Sequence, residues 1–193
     1  MSAVPTARTA ARERKERAPA PGWVIDRRVY GTMSFMAFME PRAFTTELEV
    51  RFPEVDSYGV VWHGHYILYF EVARNGLCAA AGLTPAEALA AGYKVPITRV
   101  ALDLKRPARL DDRLEVSVRL LPSGTAKLVM SYEIRKLPAR ELLASGTTEQ
   151  VLLNPAGELL LTLPAPVRVL VERVMAFQRG EGDLTGEKIL AAR

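Results

Sequence analysis

The residues whose types and spacing could do chemistry lie between Val50 and Leu77, in the run VRFPEVDSYGVVWHGHYILYFEVARNGL. Asp56 stands in a short loop, Asp56-Ser57-Tyr58-Gly59. The chain then passes through Val60-Val61-Trp62-His63-Gly64 into a long apolar segment with helical character. An acid just ahead of a helix start can be set beside backbone N–H groups that have no partner inside the helix. Those donors, with the positive end of the helix dipole, can hold a developing oxyanion. A carboxylate and an oxyanion site together point to attack on a carbonyl. The competing account is local, because Asp-Ser-Tyr-Gly is sound turn chemistry by itself.

Other polar groups divide in the same way. Glu71 and Arg74 are one helical step apart, so they can pair with each other, or Glu71 can be the base in place of Asp56. Lys105, Arg106, Arg109 and Arg113 surround one turn. Solvated charge is the simpler reading, and a clamp for the phosphates of a substrate is the functional one. His63 either caps or packs the helix start or touches substrate, while His65 reads as structural. Tyr66, Tyr69 and Phe70 read first as core, with one of them available to line a pocket. Two histidines and one cysteine, Cys78, argue against a structural zinc site, and no metal-ligand spacing is present. Cys78 sits in the apolar helix and reads as a packed thiol. There is no Gly-x-Ser-x-Gly elbow and no phosphate-binding Gly-Lys-Ser loop.

The elements around this stretch follow from periodicity. Ahead of it, Leu48, Val50 and Phe52 alternate with Glu47, Glu49 and Arg51, as a strand would. After the helix from about Gly64 to Ala80, closed by Gly82, Thr84 caps a shorter helix with Pro85 at its first position and Glu87 three residues past the cap. Period two then takes over. Val100, Leu102 and Leu104 form one set, Leu114 to Leu120 a second, and Leu128 to Ile134 a third. Thr147 to Leu153 and Glu158 to Leu163 complete the series, the last two joined by the turn Asn154-Pro155-Ala156-Gly157. Consecutive strands with short connections imply an antiparallel sheet with one apolar face. The helix is the element available to cover that face, and its apolar circumference suits burial along its length. Ala165 to Gln178 reads as a final helix, and the polar GEGDLTGEK segment after it as loose.

At 193 residues, 49% of them hydrophobic, the chain can bury one substantial core. We read residues 1–44 as an extension, largely disordered with an apolar segment at 29–39, residues 45–178 as the folded domain, and 179–193 as a tail. The net charge of +4 belongs to the extension, where Arg8, Arg12, Arg14, Lys15, Arg17, Arg27 and Arg28 face only Glu13, Glu16 and Asp26. The remainder is close to neutral, so nothing points to nucleic acid. No apolar run is long enough for a membrane span.

A strand, a buried helix, and then four or five antiparallel strands is the order of the hotdog fold, of the α+β class. The stretch from Val50 to Leu77 resembles the 4-hydroxybenzoyl-CoA thioesterase family, including its Tol-Pal-associated acyl-CoA thioesterase branch, and the likeness spans roughly residues 45–163. The residues that carry the likeness are Asp56, Gly59, Val60, Val61, Trp62, His63, Tyr66, Tyr69, Glu71, Ala73 and Arg74, with Pro107 to Asp112 downstream. The resemblance implies a sheet of about five to six strands wrapped around a long central helix. It implies hydrolysis of a coenzyme A or acyl-carrier-protein thioester without a cofactor, in a cytoplasmic homodimer or homotetramer. Asp56 would be the base or nucleophile, and the N–H of His63 or Gly64 would polarise the carbonyl. Tyr58, Gly59, Val61, Trp62, Tyr66, Arg106 and Arg109 would contact substrate. Phe52 departs from the pattern, since some members with the histidine carry a tyrosine there. Two other classes stay open: a non-catalytic acyl-CoA-sensing domain, and a hotdog dehydratase or hydratase.

Overall fold

The computed structural model describes residues 41–184 and Ile189. Residues 1–40, with the expected apolar segment 29–39, lie outside the described residues, as do 185–188 and 190–193. Strand β1 spans Phe44–Glu49 and a single 3-10 turn spans Phe52–Glu54. Helix α1 spans His63–Ala80 and α2 spans Pro85–Ala90. Strands β2, β3, β4 and β5 span Ile97–Leu104, Arg113–Leu121, Lys127–Lys136 and Glu141–Val151, and α3 spans Ala165–Gln178. The five strands form one antiparallel sheet in the order β1-β3-β4-β5-β2.

A single row of paired residues shows how the helix is seated. Phe44 pairs with Val118, Val118 with Tyr132, Tyr132 with Gly146, and Gly146 with Leu102. Phe70 of α1 is fully buried on this row. Its ring stacks on Tyr132 with centroids 4.4 Å apart and planes 16° from parallel. It can lie that low because position 146 has no side chain: a Cβ there would stand 2.6 Å from the Phe70 ring and 2.4 Å from the Ala101 carbonyl oxygen. On β3, Leu114, Val116, Val118 and Leu120 are buried, and on β4 so are Leu128, Met130, Tyr132 and Ile134, as their alternation requires. Tyr66, one helical turn before Phe70, is also buried, and its hydroxyl accepts from the Ala108 N–H at 2.9 Å.

The ends of the domain are fastened by polar groups. The side-chain amide of Gln178, at the end of α3, accepts from the Leu120 N–H at 2.7 Å and donates to the Leu120 carbonyl at 2.9 Å. It thereby occupies a place beside β3 that β1, whose pairing begins at Phe44 with Val118, leaves open. The Thr84 and Glu87 capping box forms as read, with each side chain accepting from the other residue's N–H. No helix among the described residues is long and apolar enough to cross a membrane.

Several expectations change. Phe52 is not on the strand. β1 ends at Glu49, Pro53 leads the chain into the 3-10 turn, and Phe52 is 80% exposed. Helix α1 is not buried all round, because Leu68 and Val72 stand about half exposed on its outer side. Strand β2 is one of the two sheet edges, and only Leu102 of its expected apolar set is partly covered. Glu158–Leu163 is not a strand: β5 ends at Val151, so Leu159 makes one isolated bridge to Leu153 and Leu161 is exposed. The segment after α3 is not loose throughout, since Leu184 is buried and the Ile189 N–H donates to the Gly82 carbonyl at 2.9 Å.

Replacing Gly146 with alanine should force Phe70 off the sheet. The expected cost is about 1–3 kcal/mol, the usual range for overpacking a tight core. Chemical denaturation would measure it, and an unchanged midpoint would mean that the helix is not held to the sheet at this row.

Candidate active site

The loop that carries Asp56 is closed by an antiparallel bridge between Val55 and Val61. Within it the Asp56 N–H donates to the Val60 carbonyl at 2.9 Å, and the Gly59 N–H donates to the Asp56 carbonyl at 3.0 Å. One carboxylate oxygen of Asp56 accepts from the Tyr58 N–H at 2.8 Å. The local turn chemistry read from the sequence is therefore present, and it orients the side chain of Asp56, which is partly exposed. Tyr58 and Gly59 are exposed at the loop tip.

Two residues after Val61 the helix begins. His63 and Gly64 occupy its first two positions, where backbone N–H groups have no carbonyl one turn earlier to bond. The indole of Trp62 folds back over this turn. A Cβ on residue 64 would fall 1.9 Å from a ring carbon of Trp62, so the glycine is what lets the indole lie there. The same ring lies 4.7 Å from the His63 imidazole and 5.8 Å, edge-on, from that of His65. His63 is exposed, whereas His65 Nδ1 is buried and meets no hydrogen-bond partner among the described residues.

A residue that the sequence reading missed fixes this arrangement. Glu54 is 3% exposed. Its carboxylate accepts from the Arg51 N–H at 2.9 Å, from Arg51 Nε at 2.8 Å and from the Tyr69 hydroxyl at 2.7 Å. Its backbone carbonyl accepts from the Trp62 N–H at 2.9 Å. Burial pushes the Glu54 carboxyl up, but the Arg51 N–H, the Tyr69 hydroxyl and the Arg51 guanidinium together outweigh it and hold the group below the ordinary glutamate value. Burial, and then the Glu54 carboxylate, push the Tyr69 hydroxyl well above its ordinary value, so it remains a proton donor. The signal in the sequence was the Arg51-x-x-Glu54 spacing around Pro53.

The other expected contacts fall in different places. Val61 and Tyr66 are 4% and 1% exposed and belong to the core, and the Val61 N–H bonds the Ala108 carbonyl. Trp62 is half exposed. Arg109 reaches the loop, its Nη1 donating to the Gly59 carbonyl at 3.4 Å. Arg106 is ion-paired with Glu141, and Arg113 with Glu47. Arg74 and Glu71 pair at 3.5 Å, as their spacing allows. Both line a pocket of about 490 Å³ that none of the loop residues touches. Glu71, its member closest to the loop along α1, lies eight residues past His63, about 12 Å along the helix axis. Among the described residues no cluster of potential metal ligands occurs.

The description "Thioesterase-like superfamily" fits residues 50–171, more than half of the chain. The chain belongs to the thioesterase-like superfamily. Its sequence is 28% identical to the Bacillus subtilis protein YneP over 105 residues, 54% of this chain and 75% of that one. It is 25% identical to the Escherichia coli O6:H1 acyl-CoA thioester hydrolase YbgC over 96 residues, 50% of this chain and 72% of that one. Among solved structures, a 1,4-dihydroxy-2-naphthoyl-CoA thioesterase from Synechocystis superposes with a TM-score of 0.63 at 23% identity, covering 67% of this chain and 96% of that one. The fold is the hotdog, and the protein is an enzyme with thioester hydrolase activity. The match is to the superfamily as a whole, and the narrower branch named from the loop motif rests on that motif alone.

The Glu54 carboxyl is held lower in the folded chain than in the unfolded one. The stability it contributes is therefore present above the ordinary glutamate range and is lost as pH falls through the depressed folded value. Thermal midpoints recorded down to strongly acidic pH should fall more steeply for the wild type than for Glu54→Gln. Parallel curves would show that the Arg51–Glu54–Tyr69 contacts do not stabilise the fold.

Proposed function

We propose that the enzyme cleaves an acyl thioester of coenzyme A or of an acyl carrier protein to the free acid and thiol, with Asp56 as the base or nucleophile. The observation that carries the reading is the closed loop of Asp56, joined through Trp62 to a helix start whose first N–H groups lack intrahelical partners. As base, Asp56 takes a proton from water while the oxygen adds to the thioester carbonyl. The N–H groups of His63 and Gly64 hold the oxyanion. Collapse of the tetrahedral intermediate breaks the C–S bond, and the thiolate recovers the proton from Asp56. As nucleophile, Asp56 forms a mixed anhydride and expels the thiolate, and water then hydrolyses the anhydride. The His63 imidazole, exposed at the same turn, would be a substrate contact in this reading. Arg109 beside the loop is the cation best placed to meet substrate phosphate, since Arg106 is already paired with Glu141.

The active assembly in this reading is at least a dimer joined along β2. That strand is an open sheet edge carrying exposed Ile97, Val100 and Leu104, and the outer face of α1 adds Leu68 and Val72. A second reading makes Glu71 the base, because its carboxylate lines the 490 Å³ pocket.

Free-thiol release from a panel of acyl-CoA thioesters should fall about a hundredfold in both Asp56→Ala and Asp56→Asn while the melting behaviour is kept. Turnover that survives both changes moves the base to Glu71. Acyl-CoA binding without any turnover favours a sensing domain. By light scattering, Val100→Asp should reduce the particle to the mass of one chain, and an unchanged oligomer would place the interface elsewhere.

A further inference from the structure

The pocket at the far end of α1 has a wall that its fold did not require. Most of it is aliphatic, with Leu83, Leu128, Met130, Leu153 and Leu170 among its members. The Cys78 thiol also lines it, and burial pushes that group up to about 11, so it presents an inert S–H. Polar side chains interrupt this surface, among them Glu71, Arg74 and Asn75 of α1, Lys94, and Gln150 of β5. Arg74 and Gln150 are 7% and 5% exposed. Gln150 Oε1 and Asn75 Oδ1 are buried, and neither meets a donor among the described residues.

Buried polar atoms left without a partner are costly, and leucine at either position would avoid the cost. The neighbouring strand does avoid it: Leu128 pairs directly with Gln150 and is buried on the same face. A carboxamide has one acceptor oxygen and two donor hydrogens. A hydroxyl group donates and accepts, so it suits such an amide whichever way the amide is turned. The size of the space limits what carries the hydroxyl. A cavity of about 150 Å³ is enough to hold a benzene molecule. This pocket has about three times that volume and would be left mostly unfilled by a single ring.

We propose that the pocket takes an extended acyl chain bearing a hydroxyl group, and that Gln150 and Asn75 are the specificity-determining residues that read the hydroxyl. As a statement about substrate, this rests on the hydrolase reading. As a statement about binding, it does not. The loosely paired guanidinium of Arg74, 3.5 Å from the Glu71 carboxylate, adds donors for a second oxygen on the same chain. The aliphatic wall accounts for the remainder of the chain.

Binding and turnover separate the two readings. Calorimetric titration of the full chain would compare decanamide, a series of hydroxydecanamides with the hydroxyl at successive carbons, and para-hydroxybenzamide. The amides are neutral, so Arg74 cannot select them by charge. At least one hydroxydecanamide should bind about tenfold more tightly than decanamide, as a hydrogen bond to an otherwise unpartnered buried group provides. That preference should disappear in Gln150→Leu or in Asn75→Leu. Both variants should melt at or above the wild-type temperature, since each removes an orphaned polar atom. Equal binding of decanamide and all its hydroxylated forms would overturn the proposal, with the amides then serving water only. So would a preference unchanged in both variants, or tighter binding of para-hydroxybenzamide than of every chain. The CoA thioesters of hexadecanoic acid and its hydroxylated forms, long enough to span the roughly 18 Å from the start of α1 to Asn75, would then be assayed for thiol release, with the discrimination expected in KM. If the binding preference stands and none of these thioesters is cleaved, the hydrolase reading fails and the pocket assignment survives.

Discussion

The candidate active site depends on one buried carboxylate. Taking Glu54 out of water carries a heavy desolvation cost, and it is tolerated because backbone N–H, guanidinium and phenol donors converge on it. Those donors come from two parts of the chain, Arg51 ahead of the turn and Tyr69 two helical turns into α1. The carboxylate therefore ties the segment before the loop to the helix after it. The Glu54 carbonyl adds a further tie through the Trp62 N–H, and the Val55–Val61 bridge closes the remaining circuit. Asp56 lies inside that circuit, so its position relative to the first turn of α1 is set by contacts that do not involve its own side chain.

The helix is held to the sheet at a second place, the row from Phe44 through Val118, Tyr132 and Gly146 to Leu102. Phe70 rests on it where β5 has no side chain. Past this row β5 turns Thr148 and Gln150 to the core, where β3 and β4 present leucine, valine and methionine. Thr148 is satisfied by the Tyr132 hydroxyl at 2.9 Å, and Gln150 Oε1 is not. One strand thus gives the core a polar side, and the pocket lies there.

Local chemistry was legible in the sequence. The turn at Asp56, the capping box of Thr84 and Glu87, and the span of α3 follow from residue types and spacings a few positions apart, and they occur where those spacings put them. The alternation of β3 and β4 was equally plain. Readings failed where the deciding partner is distant. Phe52 continues a period of two, and only the turn through Pro53, held by Tyr69 fifteen residues away, takes it out of the strand. Glu158 to Leu163 has the residues of a strand but lacks a neighbour long enough to pair with. Gln150 gave no sign of burial and Glu54 only its spacing to Arg51, because charge and amide alike are ordinary surface residues until a fold closes over them.

Helix α1 also works as a ruler. Its first turn borders the Asp56 loop and its later turns wall the pocket, with Asn75 about 18 Å along the axis from His63. Each inserted residue would lengthen the rod by about 1.5 Å and rotate everything beyond it by about 100°. A change of one or two residues would swing Arg74 and Asn75 away from the pocket and Phe70 off Gly146. The separation between the two ends can therefore change only in near-integral turns. Divergence along this helix is expected to proceed by exchanging side chains at a fixed spacing, with length itself effectively frozen.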